Sequence, residues 1–131
     1  HRMSLNDMVM IKDNHLLVSS SMENITRNAR KRHKHVEVEV ENQRDAIIAA
    51  SNGATIVMLD NFSPVQIKKT IAALQKKKIR NKVKLEASGG ISSKNIAAYA
   101  KTGVDIISVG SITNSVSGLD LSLEVCVSPK K

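Results

Sequence analysis

A chain of 131 residues, 41% hydrophobic and 24% charged, is long enough for one domain with a real core; it carries no apolar run of membrane-spanning length, and no signal peptide is expected. Its one cysteine, Cys126, excludes an internal disulfide and fits a cytoplasmic location. The net charge is +8, but Phe62 and Tyr99 are the only aromatics, so base stacking has little support; the basic clusters fit solvated helix ends that attract a polyanionic small substrate, with no nucleic acid and no membrane as partner.

The elements alternate along the chain. Val9 to Lys12 predicts a short strand, and a helix follows from Ser21 to Arg32, where Ser20 and Glu23 have capping-box spacing. From Val36 to Glu41 the sequence alternates Val and Glu, a period-2 strand signal over Val36 to Val40. Asn42 is the expected N-cap of a helix from Gln43 to Ser51, with Gly53 near its end. Thr55 to Leu59 reads as the third strand. Ser63, Pro64 and Gln66 then open a helix that runs to Lys77. Val83 to Ala87 is the fourth strand, Ser92 or Ser93 caps a helix through Lys101, and Asp105 to Val109 is the fifth strand. Leu119 to Val125 is a final strand or a helical turn.

Strands each trailed by a capped helix point to β/α units in series, either a doubly wound sheet or a (β/α) barrel. No Gly-x-Gly-x-x-Gly follows the first strand, so a dinucleotide fold has no specific support. The expectation is a partial (β/α) barrel of five or six parallel strands alternating with helices, too few to close eight. The chain opens on His1-Arg2 without Met, so residues 1–131 are expected to be the C-terminal part of an α/β-barrel catalytic domain, lacking an N-terminal domain and the first barrel strands.

A parallel sheet is covered on both faces, so the carboxylates of the alternating strand need cations or ligands to meet them. With each strand's apolar face toward the helices, the other face carries Met10 and Lys12, Glu37 and Glu39, Met58 and Asp60, then Lys84, Glu86 and Ser88, and finally Ile107 and Val109 before Gly110. Glu37, Lys84 and Glu86 lie deep in their strands, where a structural ion network is as good an explanation as function. Glu39, Asp60 and Lys12 lie at the carboxyl ends, where α/β folds bind ligands. Ser88-Gly89-Gly90 and Gly110 end successive strands, as phosphate-binding loops do; a tight turn would explain one such loop, but two on successive units beside converging acids and lysines point to phosphate. The four histidines lack metal-ligand spacing, and no nucleophile triad is present.

His1-Arg2, Ile11-Lys12-Asp13-Asn14-His15, Val38-Glu39-Val40-Glu41, Met58-Leu59-Asp60-Asn61-Phe62, Leu85 to Ile91, Thr102 to Asp105 and Ser108-Val109-Gly110 together resemble the successive motifs of the quinolinate phosphoribosyltransferase family, in order and over nearly the whole chain. The resemblance implies transfer of phosphoribose from phosphoribosyl pyrophosphate to quinolinate with decarboxylation, giving nicotinate mononucleotide, pyrophosphate and CO2 in NAD synthesis, with Mg2+ required. It implies that His1, Arg2 and Lys12 hold the quinolinate carboxylates. Glu39 and Asp60 would be the catalytic acids, facing the ribose and the magnesium–pyrophosphate end and meeting the metal mainly through pyrophosphate and water. Ser88, Gly89, Gly90 and Gly110 would cradle the 5′-phosphate. A partner subunit completes the family's site with an arginine, so a homo-oligomer, a dimer or a multiple of dimers, is expected. Asn114 stands where the family commonly has His, a departure that touches one substrate contact. The alternatives are a related transferase for another aromatic acid and a non-catalytic half-barrel.

Overall fold

The computed structural model describes residues 8–12 and 21–110, within which five parallel strands alternate with four α-helices. The strands are β1 Met8–Ile11, β2 His35–Val40, β3 Ile56–Asp60, β4 Lys84–Ser88 and β5 Ile106–Ile107. The helices are α1 Met22–Arg32, α2 Gln43–Ser51, α3 Pro64–Lys76 and α4 Ile96–Ala100, with a 3-10 turn at Arg80–Lys82 leading into β4. No helix among the described residues is long and apolar enough to cross a membrane.

The strands lie in the order β1-β2-β3-β4-β5, and each neighbouring pair is parallel. Crossovers between parallel strands are right-handed, so an order that never reverses puts every helix on one face. That is an arc of a barrel. A doubly wound sheet reverses its order midway and wraps both faces.

Local chemistry sets the helix starts. The Asn42 side chain accepts from the Asp45 N–H and starts α2 where expected. At α3, Ser63 accepts from the Gln66 N–H while the Gln66 side chain accepts from the Ser63 N–H, a reciprocal cap with Pro64 just inside it. Helix α1 is capped by Ser21, which accepts from the Asn24 N–H at 3.3 Å, and not by Ser20. Its last turn carries Arg30, Lys31 and Arg32, complementing the negative end of the helix. Helix α4 is shorter than the capping pattern predicted. The Asn95 and Ile96 N–H groups both donate to the Ser92 carbonyl, so the chain turns at Ser92, but regular helix begins only at Ile96.

The core lies between the sheet and the helices. Val36, Val38, Val57, Leu85 and Ala87 are fully buried, and they cluster with Ala46, Ala49, Ile67 and Leu74 from α2 and α3. The Val-Glu alternation of β2 therefore sorts as expected, with valines under the helices. One face assignment is corrected. In β5, Ile106 is the register partner of Glu86 and Ile107 that of Ala87. Ile106 and Ser108 thus occupy the inner face, whereas Ile107 and Val109 pack against the helix-side core. Adjacent isoleucines give no alternation to set the phase. The segment Leu119–Val125, Cys126 and His15 lie outside the described residues.

Candidate active site at the carboxyl end of the sheet

The inner face is built in rungs. Glu39, Met58, Glu86 and Ile106 are successive register partners across β2 to β5. One pleat closer to the carboxyl ends, Asp60 pairs with Ser88. Glu39 and Asp60 therefore project from adjacent strands onto the same face, on consecutive rungs. Both are partly buried, and the Lys12 ammonium just past β1 lies 3.3 Å from the Glu39 carboxylate. Three of the expected site residues are thus brought together by the ladder itself.

Glu37, one pleat further in than Glu39, and Glu86, on the same rung as Glu39, have no exposed surface. The Ser108 hydroxyl donates to the Glu86 carboxylate, which makes β5 a support for β4 at this depth. Lys84, expected beside them, stays exposed at the amino end of β4.

The loop after β4 is shaped for close approach. Gly89 has φ +84°, and a Cβ built there would stand 2.2 Å from the Asn61 side-chain oxygen and 2.7 Å from the Asn61 backbone nitrogen. Only glycine fits. Gly90 has φ +61° and is exposed, and a Cβ there would meet nothing within 4 Å. Gly110, beyond the neighbouring strand, opens on similar space. The far side of the loop is tied by Asn95, whose side chain accepts from the Ser92 N–H and donates to the Gly90 carbonyl at 3.0 Å. A fixed loop with open, side-chain-free positions suits a bulky anion such as a phosphate.

Asn61 is the residue that the strand pattern did not single out. Its backbone is left-handed, with φ 53°, and its N–H donates to the Ser88 carbonyl at 2.9 Å. Its side-chain amide donates to the Asp60 carboxylate at 2.7 Å. The available signal was its type: asparagine directly after a strand favours a left-handed turn.

His1 and Arg2 lie outside the described residues. No group of three or more His, Cys, Asp or Glu side chains among the described residues is placed to hold a metal ion. Glu39 and Asp60 are a pair, and Mg2+ is commonly held by one or two carboxylates together with water and substrate phosphates. The donor set fits that mode and not an all-protein cage.

A depression of about 630 Å³ lies at the opposite end of the sheet, beside Lys34, His35, Lys82 and Lys84. Its arginines are committed to structure. Arg30 donates to the His33 and Lys34 carbonyls. Arg80 donates to Val83, Gly103 and the Asp105 carboxylate, which in turn accepts from the Leu85 N–H at 2.7 Å. The contacts of Arg30 and Arg80 at this end are structural, as is usual at the amino face of a barrel.

Comparison with known proteins bears on the family and the fold. The family model described as "Quinolinate phosphoribosyl transferase, C-terminal domain" matches residues 1–124. A probable nicotinate-nucleotide pyrophosphorylase [carboxylating] of Methanothermobacter thermautotrophicus is 48% identical over 128 residues, covering 95% of this chain and 46% of its own. One from Archaeoglobus fulgidus is 45% identical over 125 residues, covering 95% of this chain and 48% of its own. The solved nicotinate-nucleotide pyrophosphorylase of Francisella tularensis superposes with TM-score 0.77 at 42% identity, over 95% of this chain and 43% of that one. The chain spans a little under half the length of these curated relatives.

Proposed function

The chain belongs to the quinolinate phosphoribosyl transferase family, and we propose that the protein carrying it moves the phosphoribosyl group of phosphoribosyl pyrophosphate onto quinolinate, releasing pyrophosphate and CO2 and leaving nicotinate mononucleotide for NAD synthesis. The observation that carries this reading is the pairing of Glu39 and Asp60 on consecutive rungs of adjacent strands, beside Lys12 and below the open Gly89-Gly90 loop.

The roles follow from the chemistry. The quinolinate ring nitrogen attacks the anomeric carbon as the bond to pyrophosphate breaks. Positive charge develops on the ribose in that transition state, and carboxylates fixed nearby stabilise it. Glu39 and Asp60 supply those charges, Glu39 toward the ribose and Asp60 toward the leaving pyrophosphate. Lys12, with His1 and Arg2, meets the two carboxylates of quinolinate; a guanidinium matches one of them bidentately. Ser88, Gly89, Gly90 and Gly110 hold the 5′-phosphate. Once the ring nitrogen is alkylated and positive, the adjacent carboxylate leaves as CO2, its electrons stay on the ring, and a proton from solvent takes its place. No acid or base of the protein is needed there.

Glu39 and Asp60 would hold Mg2+ chiefly through pyrophosphate and water, and the ion would neutralise charge on the leaving group. Cys126 as the only cysteine supports a cytoplasmic enzyme, and a homo-oligomer is the assembly expected of the family resemblance.

Glu39→Gln and Asp60→Asn test the assignment in the full-length protein. Each should lower kcat/KM for nicotinate mononucleotide formation by about 10²-fold or more, with the thermal midpoint nearly unchanged. Kinetics equal to wild type in both variants would defeat the assignment.

A further inference from the structure

Asn61 touches two parts of the site that the strand ladder alone does not join. Its amide group bonds the Asp60 carboxylate at 2.7 Å. Its side-chain oxygen and backbone nitrogen press on Gly89 so closely that a Cβ there would stand 2.2 Å and 2.7 Å from them. Its N–H also holds the Ser88 carbonyl at 2.9 Å. Asp60 has a rotatable side chain at the rim of the sheet, and a partly buried carboxylate with one fixed donor loses rotamer freedom. The loop Ser88-Gly89-Gly90 leaves its strand at the same place. A left-handed residue between them is costly for most side chains and tolerated by Asn, so the backbone here is held in a conformation that points the amide back at residue 60.

We infer that Asn61 is a positioning residue that aims the Asp60 carboxylate and sets the stance of the glycine loop, so that the pyrophosphate end and the 5′-phosphate end of phosphoribosyl pyrophosphate are gripped in one fixed relation. The inference rests on the proposed function, and it concerns phosphoribosyl pyrophosphate rather than the aromatic acid. Asn61 touches no reacting atom; it acts through Asp60 and Gly89.

The test uses the full-length protein and two variants. Asn61→Gly keeps the left-handed backbone and removes the amide. Asn61→Asp keeps the shape but sets a second carboxylate against Asp60, and it serves if the glycine variant fails to fold. Either variant should lower kcat by about tenfold and raise KM for phosphoribosyl pyrophosphate by a similar factor, with KM for quinolinate held within about twofold. Repeated in an Asp60→Ala background, which removes the acceptor, the same substitution should cost clearly less than in the wild-type background, because residues that act as one unit are not additive, and the part that remains is the part exerted through Gly89. Equal rises in both KM values, or the same loss in both backgrounds, would show a merely structural role and overturn the inference. An active wild type with an unaffected Asn61→Gly variant overturns this inference alone. A full-length wild type that forms no nicotinate mononucleotide overturns the functional reading, and the inference with it.

Discussion

Gly89 and Gly90 are neighbours in sequence with opposite tolerances. At Gly89 an added methyl would collide with both the side chain and backbone of Asn61. At Gly90 it meets open space, and the only local cost is that of a left-handed alanine, about 1 kcal/mol. Gly89→Ala should therefore lower stability by well over that amount in denaturant titration. Gly90→Ala should leave folding nearly intact while weakening phosphoribosyl pyrophosphate binding about tenfold or more by calorimetry, because the methyl stands where the phosphate is proposed to sit. Equal stability losses in the two would remove the argument from loop geometry. Much at this scale was legible in the sequence. The Val-Glu alternation separated core from inner face in β2, and strand-end position distinguished Glu39 and Asp60 from the deeper Glu37, whereas Glu86 shares the rung of Glu39 and differs from it only in being fully buried. What hydrophobic pattern cannot encode is a backbone angle or a contact between loops. The contacts of Asn61 with Asp60 and Gly89 and the Ser108–Glu86 bond therefore appear only in three dimensions.

Helix starts with strong side-chain caps were readable almost to the residue. Asn42 and Ser63 offer an acceptor three positions before a matching N–H, and each cap forms. Removing the α3 cap with Ser63→Ala should reduce stability by about 1 kcal/mol, measured as a lower denaturation midpoint at constant slope. Ser63→Asp should recover most of that loss by restoring the acceptor, and no difference between the two would argue against the cap. Helix α4 was less legible, because the serines before it serve a turn organised by Asn95, and serine at a turn and serine at a cap carry the same sequence signal. Strand β5 was misphased for a related reason. Two adjacent isoleucines satisfy either face, and only pairing with Glu86 and Ala87 decides between them.

The strand order that never reverses makes the described part an arc, with β1 and β5 as its edge strands. Edges expose backbone donors and acceptors that other chains can pair with. The 131-residue chain on its own should bind both substrates weakly, turn over little and associate as its concentration rises. Nicotinate mononucleotide release and sedimentation velocity measure these directly, and brisk turnover by a monomer of this length would contradict both. The fold class was legible from the spacing of strands and capped helices, because that periodicity survives even in part of a barrel. The same ladder has a consequence for how such a chain can change over time. Successive residues of a strand face opposite ways, so the valines of β2 and its glutamates occupy odd and even places on one ruler. Inserting one residue within a strand would swap the two sets, sending carboxylates into the oily layer and valines into the site. Inserting two would keep each set on its own side. Parity, more than length, is therefore what the interior of these strands must conserve, and insertions of any size are confined to the connections.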